Sequence, residues 1–132
     1  MVCRQRREYM EDLTVEQVEK VHTGIIAGER GDCRILSEAN LHQLAFRANL
    51  IPECVPRAAF IFYSLCAYPA FREGNARTAV AVTEQVLASG GYRITGDKAG
   101  IMALAEGILA FTTEPEEIEH WLCNNIQESI SR

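Results

Sequence analysis

The chain has 132 residues, of which 48% are hydrophobic and 23% charged, and 13 Lys and Arg against 18 Asp and Glu give a net charge of -5. This length fits one domain with one hydrophobic core, since domains usually span roughly 100–200 residues. The composition excludes a disordered chain, and the acidic balance argues against a protein that coats nucleic acid, whose affinity comes from clustered Lys and Arg. We therefore expect no nucleic-acid partner.

Neither a membrane segment nor a secretion signal is expected. No apolar run approaches the roughly 20 residues that a membrane-spanning helix needs, and the charged start at residues 1–8 has no apolar stretch behind it. The five cysteines are odd in number and widely spaced, without a C-x-x-C pair of the kind that binds zinc. We expect a cytoplasmic protein with reduced thiols, in which Cys66 is a small core residue.

The first twelve residues differ in pattern from the rest of the chain. Residues 1–12 are polar and charged without apolar spacing, which predicts a flexible N-terminal tail. In the remaining residues, apolar positions recur at helical spacing between turn residues, and no linker divides them. We expect one helical domain over residues 13–132.

Two helices are predicted in the first third of this domain. Thr14 followed by Gln17 is a capping-box pattern, and the apolar positions after it predict a helix over about 14–27. After a turn bracketed by glycines, residues 33–36 are predicted to be briefly extended. Ser37 is then expected to cap a second helix.

A strongly apolar segment follows two prolines. Pro52 and Pro56 are expected to interrupt the chain, and residues 57–68 are apolar almost all round. This pattern is typical of the buried central helix of an α-helical domain. Pro69 is expected to end that helix.

The remaining helices are predicted from caps and apolar spacing. A helix over 75–89 stops at a glycine pair, an extended connector follows at 92–94, and Asp97 caps the fifth helix. Thr113 with Glu116 forms a second capping box. The last helix then carries the apolar side chains Ile118, Trp121, Leu122 and Ile126. The sequence therefore predicts an all-α fold of six helices with almost no sheet.

One segment carries groups suited to chemistry. Residues 69–78 place charged side chains, a glycine and an asparagine between the buried helix and the next one. A loop that runs into a helix N-terminus presents free N–H groups and the positive end of the helix dipole, so residues 74–76 form a candidate phosphate site. Arg77 would add a charged contact to the same anion. Glu73 is a single carboxylate of the kind that binds Mg²⁺ together with substrate phosphates.

A purely structural interpretation of these residues is also open. Gly74 then only ends a turn, and Asn75 only caps the following helix. Arg77 in that case pairs with Glu73 or Glu84. The spacing alone does not decide between the two interpretations.

The same segment resembles the central motif of the Fic/Doc superfamily, which is His-x-Phe-x-(Asp/Glu)-(Gly/Ala)-Asn-(Gly/Lys)-Arg. Five of its seven fixed positions are matched, by Phe71, Glu73, Gly74, Asn75 and Arg77. The helical pattern over about residues 13–126 is similar to the Doc (death-on-curing) branch, with the loop as its specific part.

This resemblance implies an all-helical fold whose central loop binds the phosphates of a nucleotide with Mg²⁺. Fic-type members transfer AMP to a hydroxyl of another protein. The Doc toxin transfers the terminal phosphate of ATP to elongation factor Tu and is held by a small antitoxin. Carried over by position, the resemblance implies a loop anchor at Phe71, a Mg²⁺ ligand at Glu73, phosphate-binding backbone at Gly74, Asn75 and Ala76, and a phosphate contact at Arg77.

Two positions depart from the motif. Pro69 stands where the family has the catalytic His that takes the proton from the target hydroxyl. Because general-base catalysis contributes a factor of about 10²–10⁴, this departure predicts a slow or inert transferase. Ala76 stands where Fic-type members carry Gly and Doc carries Lys, so the contact that separates the two activities is missing as well.

No residue in the sequence is an evident replacement for the missing base. Tyr68 is adjacent to Pro69, but an unperturbed phenol titrates at about pH 10 and is a poor base at neutral pH. The histidines fit packed or capping positions better than a general base; they are His22, His42 and His120.

The sequence therefore predicts a degenerate Fic/Doc-type protein, a pseudoenzyme that binds a nucleotide or another phosphate at residues 71–77 and is impaired in transfer. Two alternatives stay open. One is an active transferase that works without the His through positioning and electrostatics. The other is a non-catalytic module that binds a protein, such as a small antitoxin or a translation-factor-like target. The sequence leaves the oligomeric state undetermined.

Overall fold

The computed structural model describes residues 10–129, and six helices and two short strands follow one another within them. The elements are α1 (Val15–Ala27), α2 (Glu38–Ala48), α3 (Cys54–Ala67), α4 (Asn75–Ser89), β1 (Tyr92–Ile94), α5 (Lys98–Leu109), α6 (Pro115–Asn125) and β2 (Ile126–Glu128). The predicted all-α fold is confirmed. None of the helices in this part of the chain is both long and apolar enough to cross a membrane. Residues 1–9 of the predicted tail over 1–12, and the last three residues of the expected domain, lie outside the described residues.

Three of the predicted helix caps are present. In each, a side-chain oxygen accepts a hydrogen bond of 3.0–3.1 Å from a backbone N–H in the first turn, as for Thr14, Ser37 and Asp97. Each bond satisfies one of the N–H groups that a helix leaves unpaired at its start. The side chain of Gln17 does not complete the predicted box, because it donates to Gln85 of α4 at 3.0 Å. That bond ties α1 to α4.

The apolar helix α3 is the centre of the fold, as its sequence predicts. Ten of its 14 residues are buried, and it packs against α2, α4, α5 and α6. The predicted start at residue 57 is wrong, because α3 begins at Cys54 and contains Pro56 in its first turn. Proline is tolerated there, since first-turn N–H groups have no acceptor within the helix. Pro69 does follow the end of the helix, and Tyr68 before it leaves the α region with φ -125° and ψ 74°.

The cap of α6 lies one residue beyond the predicted capping box of Thr113 and Glu116. The N–H of Glu114 donates to the side chain of Glu117 at 2.7 Å. Thr113 is held at the end of α5, where its N–H donates to the carbonyl of Gly107 at 3.2 Å. The preceding helix therefore takes the threonine that the sequence pattern assigns to the next one.

A two-stranded antiparallel sheet joins the two ends of the last third of the chain. β1 pairs with β2 in a register that places Tyr92 opposite Glu128 and Ile94 opposite Ile126. Residues 92–94 are extended, as predicted. The prediction that the last helix includes Ile126 is wrong, because pairing with β1 draws this residue into a strand.

Cys66 is a core residue, as predicted. It lies on α3 with 1% of its surface exposed. Burial raises the pKa of its thiol to about 12, so the reactive thiolate is absent at neutral pH.

Candidate anion-binding site

The connection between α3 and α4 is held against the connection between α1 and α2. Ile35 and Phe71 form an isolated antiparallel bridge. The N–H of Leu36 donates to the carbonyl of Ala70 at 2.7 Å, and a second bond of 3.2 Å runs in the opposite direction across the bridge. The two connections therefore fix each other's backbone just before α4 begins.

The side chain of Asn75 holds the same segment from the other side. Its Oδ1 accepts from the N–H groups of Ala70 at 3.2 Å and Phe71 at 3.1 Å, and its Nδ2 donates to the Phe71 carbonyl at 2.9 Å. Asn75 is the first residue of α4 and Gly74 is the N-cap, so the interpretation of Asn75 as the helix cap is wrong. Since its side chain is committed to the loop, what Asn75 can offer an anion is its backbone N–H.

The N-terminus of α4 is open. Gly74 precedes the helix in the left-handed region, with φ 79°. The first bond of the helix runs from the N–H of Thr78 to the Gly74 carbonyl at 2.9 Å, so the N–H groups of Asn75, Ala76 and Arg77 have no partner within the helix. Within residues 10–129 no side chain caps them. The positive end of the helix dipole is therefore not capped by a side chain of the described residues.

Arg77 lies on the first turn of α4 and pairs with Glu29, which comes from the connection after α1. Both side chains are nearly half exposed, at 46% and 43%. The predicted structural partners, Glu73 and Glu84, are wrong, and Glu84 pairs with Lys98 at 3.6 Å. Exposed ion pairs contribute little to stability, so an incoming anion can replace Glu29 at small cost.

A second group of charges lies beside the Ile35–Phe71 bridge. Asp32 accepts a hydrogen bond from the Arg34 side chain at 2.7 Å and pairs with Arg72 at 3.2 Å. The hydrogen bonds from Arg34, together with the two positive charges, lower the pKa of the Asp32 carboxyl from 3.8 to about 2. Asp32 is therefore ionised at all but strongly acid pH and links the two connections.

We predict that Asp32 titrates at about pH 2 and that Arg34→Ala moves its midpoint back toward 3.8. Because its folded-state pKa is depressed, the carboxylate stabilises the fold above its ordinary pKa, and this contribution is lost as the pH falls from about 4 toward 2. Carboxyl carbon NMR across this range measures the midpoint. Lys98→Ala, which removes a cation that pairs with Glu84, is the control. An unchanged midpoint in Arg34→Ala contradicts the prediction.

Glu73 is the carboxylate of the loop, and its side chain is exposed. Its Oε1 is 2.9 Å from the position that a Cβ would take on Gly31, so the carboxylate faces the connection after α1. Among residues 10–129, no group of three or more His, Cys, Asp or Glu side chains is arranged to hold a metal ion. A cation at Glu73 would depend on further ligands from the bound molecule.

Two other loop positions supply backbone rather than side-chain chemistry. Pro69 is exposed, and its carbonyl accepts a hydrogen bond from Nδ2 of Asn40 at 3.1 Å. Ala76 is half-buried and packs against the hydrophobic core. Neither side chain can take up a proton.

The other candidate bases, the three histidines and Tyr68, lie on or at the end of four different helices. His22 is buried on α1, and its Nε2 is 2.7 Å from the carbonyl oxygen of Glu73. His42 and His120 are exposed on α2 and α6, where each has a polar partner four residues away on its own helix. Tyr68 lines a groove between α2 and α3.

This apolar groove encloses about 570 Å³. Glu116 and Glu119 of α6 also line the groove, and the guanidinium of Arg47 lies over the ring of Phe60. Ala70 is the lining residue next to the loop. Its apolar walls include Leu44, Ile51, Phe60, Tyr63 and Tyr68. We term it the α2–α3 groove.

Sequence reasoning missed three residues at the site. They are the loop-contacting His22 and the acidic partners Glu29 and Asp32, all of which precede α2. No spacing rule connects them to residues 71–77, because the contacts arise only when the two connections cross. Both connections carry charges of both signs, so charge pattern alone does not identify which residues pair.

No protein-family model matches the sequence, and no curated protein matches it either. The function is therefore inferred from the geometry of the site.

Proposed function

We propose that residues 71–77 bind the phosphates of a nucleotide, and that the chain is a transfer-impaired relative of the Fic/Doc family. One observation carries this proposal: α4 begins after a left-handed glycine with three N–H groups that no side chain of residues 10–129 caps. Oriented N–H groups and the positive end of the helix dipole together favour a bound anion, and phosphate is an anion that proteins commonly bind at helix N-termini.

The charges around these N–H groups support a phosphate ligand. Arg77 projects from the same helical turn, and its present partner Glu29 is nearly half exposed. The pair with Glu29 is exposed and contributes little, whereas a phosphate carries more negative charge than a carboxylate and can accept two parallel hydrogen bonds from the guanidinium. A phosphate at the N-terminus of α4 therefore competes well for Arg77.

Mg²⁺ bound with the nucleotide would neutralise phosphate charge. Glu73 is the residue suited to hold Mg²⁺, since it is the carboxylate of the loop and its side chain is exposed. One carboxylate together with phosphate oxygens and water is a common Mg²⁺ environment. The donor set in the loop fits a cation that arrives with its nucleotide.

The proposed impairment follows from the lack of a proton acceptor. Pro69 holds the position of the motif His and cannot accept a proton. His22 is buried and its Nε2 donates to a backbone carbonyl, and Tyr68 belongs to the α2–α3 groove. Without a base we expect transfer to be slower by about 10²–10⁴, while binding of the nucleotide is retained.

The proposal is tested by calorimetric titration of ATP, ADP and AMP with and without Mg²⁺. Arg77→Ala is expected to weaken binding by about 10–100-fold, because hydrogen bonds to charged groups contribute about 1.5–3 kcal/mol. Glu29→Gln is expected to tighten binding by about two- to fivefold, since it frees Arg77 from an exposed pair.

Arg93→Ala is the matched control, because it removes an exposed arginine from β1 and leaves the loop unchanged. We expect its affinity to equal that of the wild type. Absence of binding at millimolar nucleotide overturns the proposal, and so does equal weakening by Arg77→Ala and Arg93→Ala.

The first alternative, a transferase that works without the His, is separated by the reversion Pro69→His. If the loop functions as proposed, this variant gains transfer of phosphate or AMP onto a protein substrate, measured by mass spectrometry. Robust transfer by the wild type that disappears in Arg77→Ala would favour the active-enzyme alternative instead.

The second alternative, a protein-binding module, is favoured by the α2–α3 groove. Its size lies in the range of ligand-binding clefts of roughly 300–1,000 Å³, and its walls are mostly apolar. A photo-crosslinking residue at Gln43, which lines the groove, would then capture one partner in cells. The same residue at Ala88, exposed on α4, would capture none. Identical products from both positions would contradict this alternative.

A further inference from the structure

From α1, His22 contacts three residues of the loop, namely Phe71, Glu73 and Gly74. Its ring is stacked on the ring of Phe71, with centroids 3.7 Å apart and planes inclined by 8°. Its Nε2 lies 2.7 Å from the carbonyl oxygen of Glu73. Its Cδ2 lies 3.7 Å from the position that a Cβ would take on Gly74. Only 1% of the His22 surface is exposed, so the ring is fixed by its surroundings.

The bond to Glu73 defines which nitrogen of His22 carries a proton. A carbonyl oxygen can only accept a hydrogen bond, so Nε2 must be the donor. The ring can therefore not take a proton at Nε2 while it holds the loop. Because only 1% of the His22 surface is exposed, its other nitrogen, Nδ1, is out of reach of a substrate hydroxyl, and His22 acts on the backbone of the loop.

The same bond sets the orientation of the peptide between Glu73 and Gly74. The peptide is trans and planar, so its N–H points opposite to its carbonyl oxygen. Because the Glu73 carbonyl points at His22, the N–H of Gly74 points away from α1. The N–H therefore lies on the side of the peptide opposite to His22 and is not used in the contact with α1.

Gly74 by itself does not impose this orientation. A glycine tolerates positive and negative φ about equally, so the peptide before it can rotate between two orientations at small cost. In the observed one, φ is 79° and a Cβ on Gly74 would lie 2.8 Å from Cδ1 of Ile26. The hydrogen bond from His22 is present in the observed orientation and stabilises it.

We infer that His22 is a positioning residue that fixes the Glu73–Gly74 peptide and so aims a fourth N–H, that of Gly74, at the anion held by the N-terminus of α4. This inference rests on the proposed function of the loop. It also makes a statement about the ligand-free protein, namely that the Gly74 N–H has one orientation because of His22.

Two variants separate the hydrogen bond from the packing. His22→Phe keeps a ring against Phe71 and removes the donor, whereas His22→Gln keeps a donor close to the position of Nε2 and removes the ring. The probe is inorganic phosphate, and the readout is the Gly74 amide signal of ¹⁵N-labelled protein, together with thermal unfolding. In the wild type we expect phosphate to move the Gly74 signal.

In His22→Phe we expect the Gly74 signal to shift before any phosphate is added and phosphate affinity to fall by about tenfold, the loss of roughly one hydrogen bond to a charged group. In His22→Gln we expect affinity within about threefold of the wild type, even where thermal stability is lower. An unchanged ligand-free Gly74 signal in His22→Phe overturns the inference. If His22→Phe fails to fold, loss of the wild-type Gly74 signal position in His22→Gln overturns it, and retention supports it.

The two proposals fail in different ways. If phosphate moves no backbone amide signal of residues 74–77 in the wild type, the proposed function is wrong and the assigned role at an anion falls with it. If it moves the signals of residues 75–77 and not that of Gly74, the proposed function stands and the role assigned to His22 at the anion is wrong. The ligand-free signals of the two variants then still decide whether His22 orients the peptide.

Discussion

Phe71→Ala is expected to lower the free energy of unfolding by about 3–5 kcal/mol, the usual cost of removing a buried phenylalanine side chain. Phe71 has 1% of its surface exposed, stacks on the ring of His22 and forms the bridge to Ile35. Its loss leaves a cavity between α1 and the loop. Because the loop then relaxes into that space, phosphate binding is expected to disappear as well.

Urea unfolding at constant pH measures the effect, since a chain of this size is expected to unfold in one cooperative step. Phe71→Leu fills most of the volume without the ring stack and is expected to cost about 1–2 kcal/mol. Phe111→Ala is the surface control, because 93% of Phe111 is exposed. A loss below about 1 kcal/mol in Phe71→Ala would show that the loop is not anchored by this ring.

Asn75→Ala is expected to lower the free energy of unfolding by about 2–4 kcal/mol, because two N–H groups and one carbonyl lose their partner at once. These groups belong to Ala70 and Phe71 and are partly buried. The segment before α4 would no longer keep its backbone conformation. The affinity for phosphate is therefore expected to fall, although the Asn75 side chain is not proposed to contact the ligand.

Asn75→Asp separates the two halves of this effect. It keeps an acceptor for the two N–H groups and loses the donor to the Phe71 carbonyl, so we expect about half the destabilisation. Asn124→Ala is the control, since that side chain is exposed and bonds only to His120 on its own helix among the described residues. If Asn75→Ala unfolds at the same urea concentration as Asn124→Ala, the proposed role of Asn75 is wrong.

Signals that act within one or two turns of the chain were sufficient for most of the fold. The caps at Thr14, Ser37 and Asp97 satisfy N–H groups two or three residues away, and the apolar residues of α3 are buried on nearly all sides. Such preferences depend on neighbouring residues, so a sequence pattern contains them.

The errors arose where two elements compete for the same residue. Thr113 closes the end of α5 instead of starting α6, and Ile126 pairs with β1 instead of continuing α6. Pro56 is tolerated because it falls in a first turn whose start lies three residues earlier than predicted. For Thr113 and Ile126 the local pattern permits both outcomes, and a contact with a second element chooses one. For Pro56 the error is in the start of the helix itself.

The sequence alone determined the helical class and the central position of α3, and it singled out the loop at residues 71–77 as a candidate anion site. Only the tertiary structure decided how that loop is held. His22 and Glu73 are 51 residues apart in the chain, and Glu29 meets Arg77 across the same crossing of two connections. Side-chain direction at these positions depends on which helices pack together, and periodicity does not encode that. The residues of the loop can therefore be identified from the sequence, whereas their partners can be identified only in the folded chain.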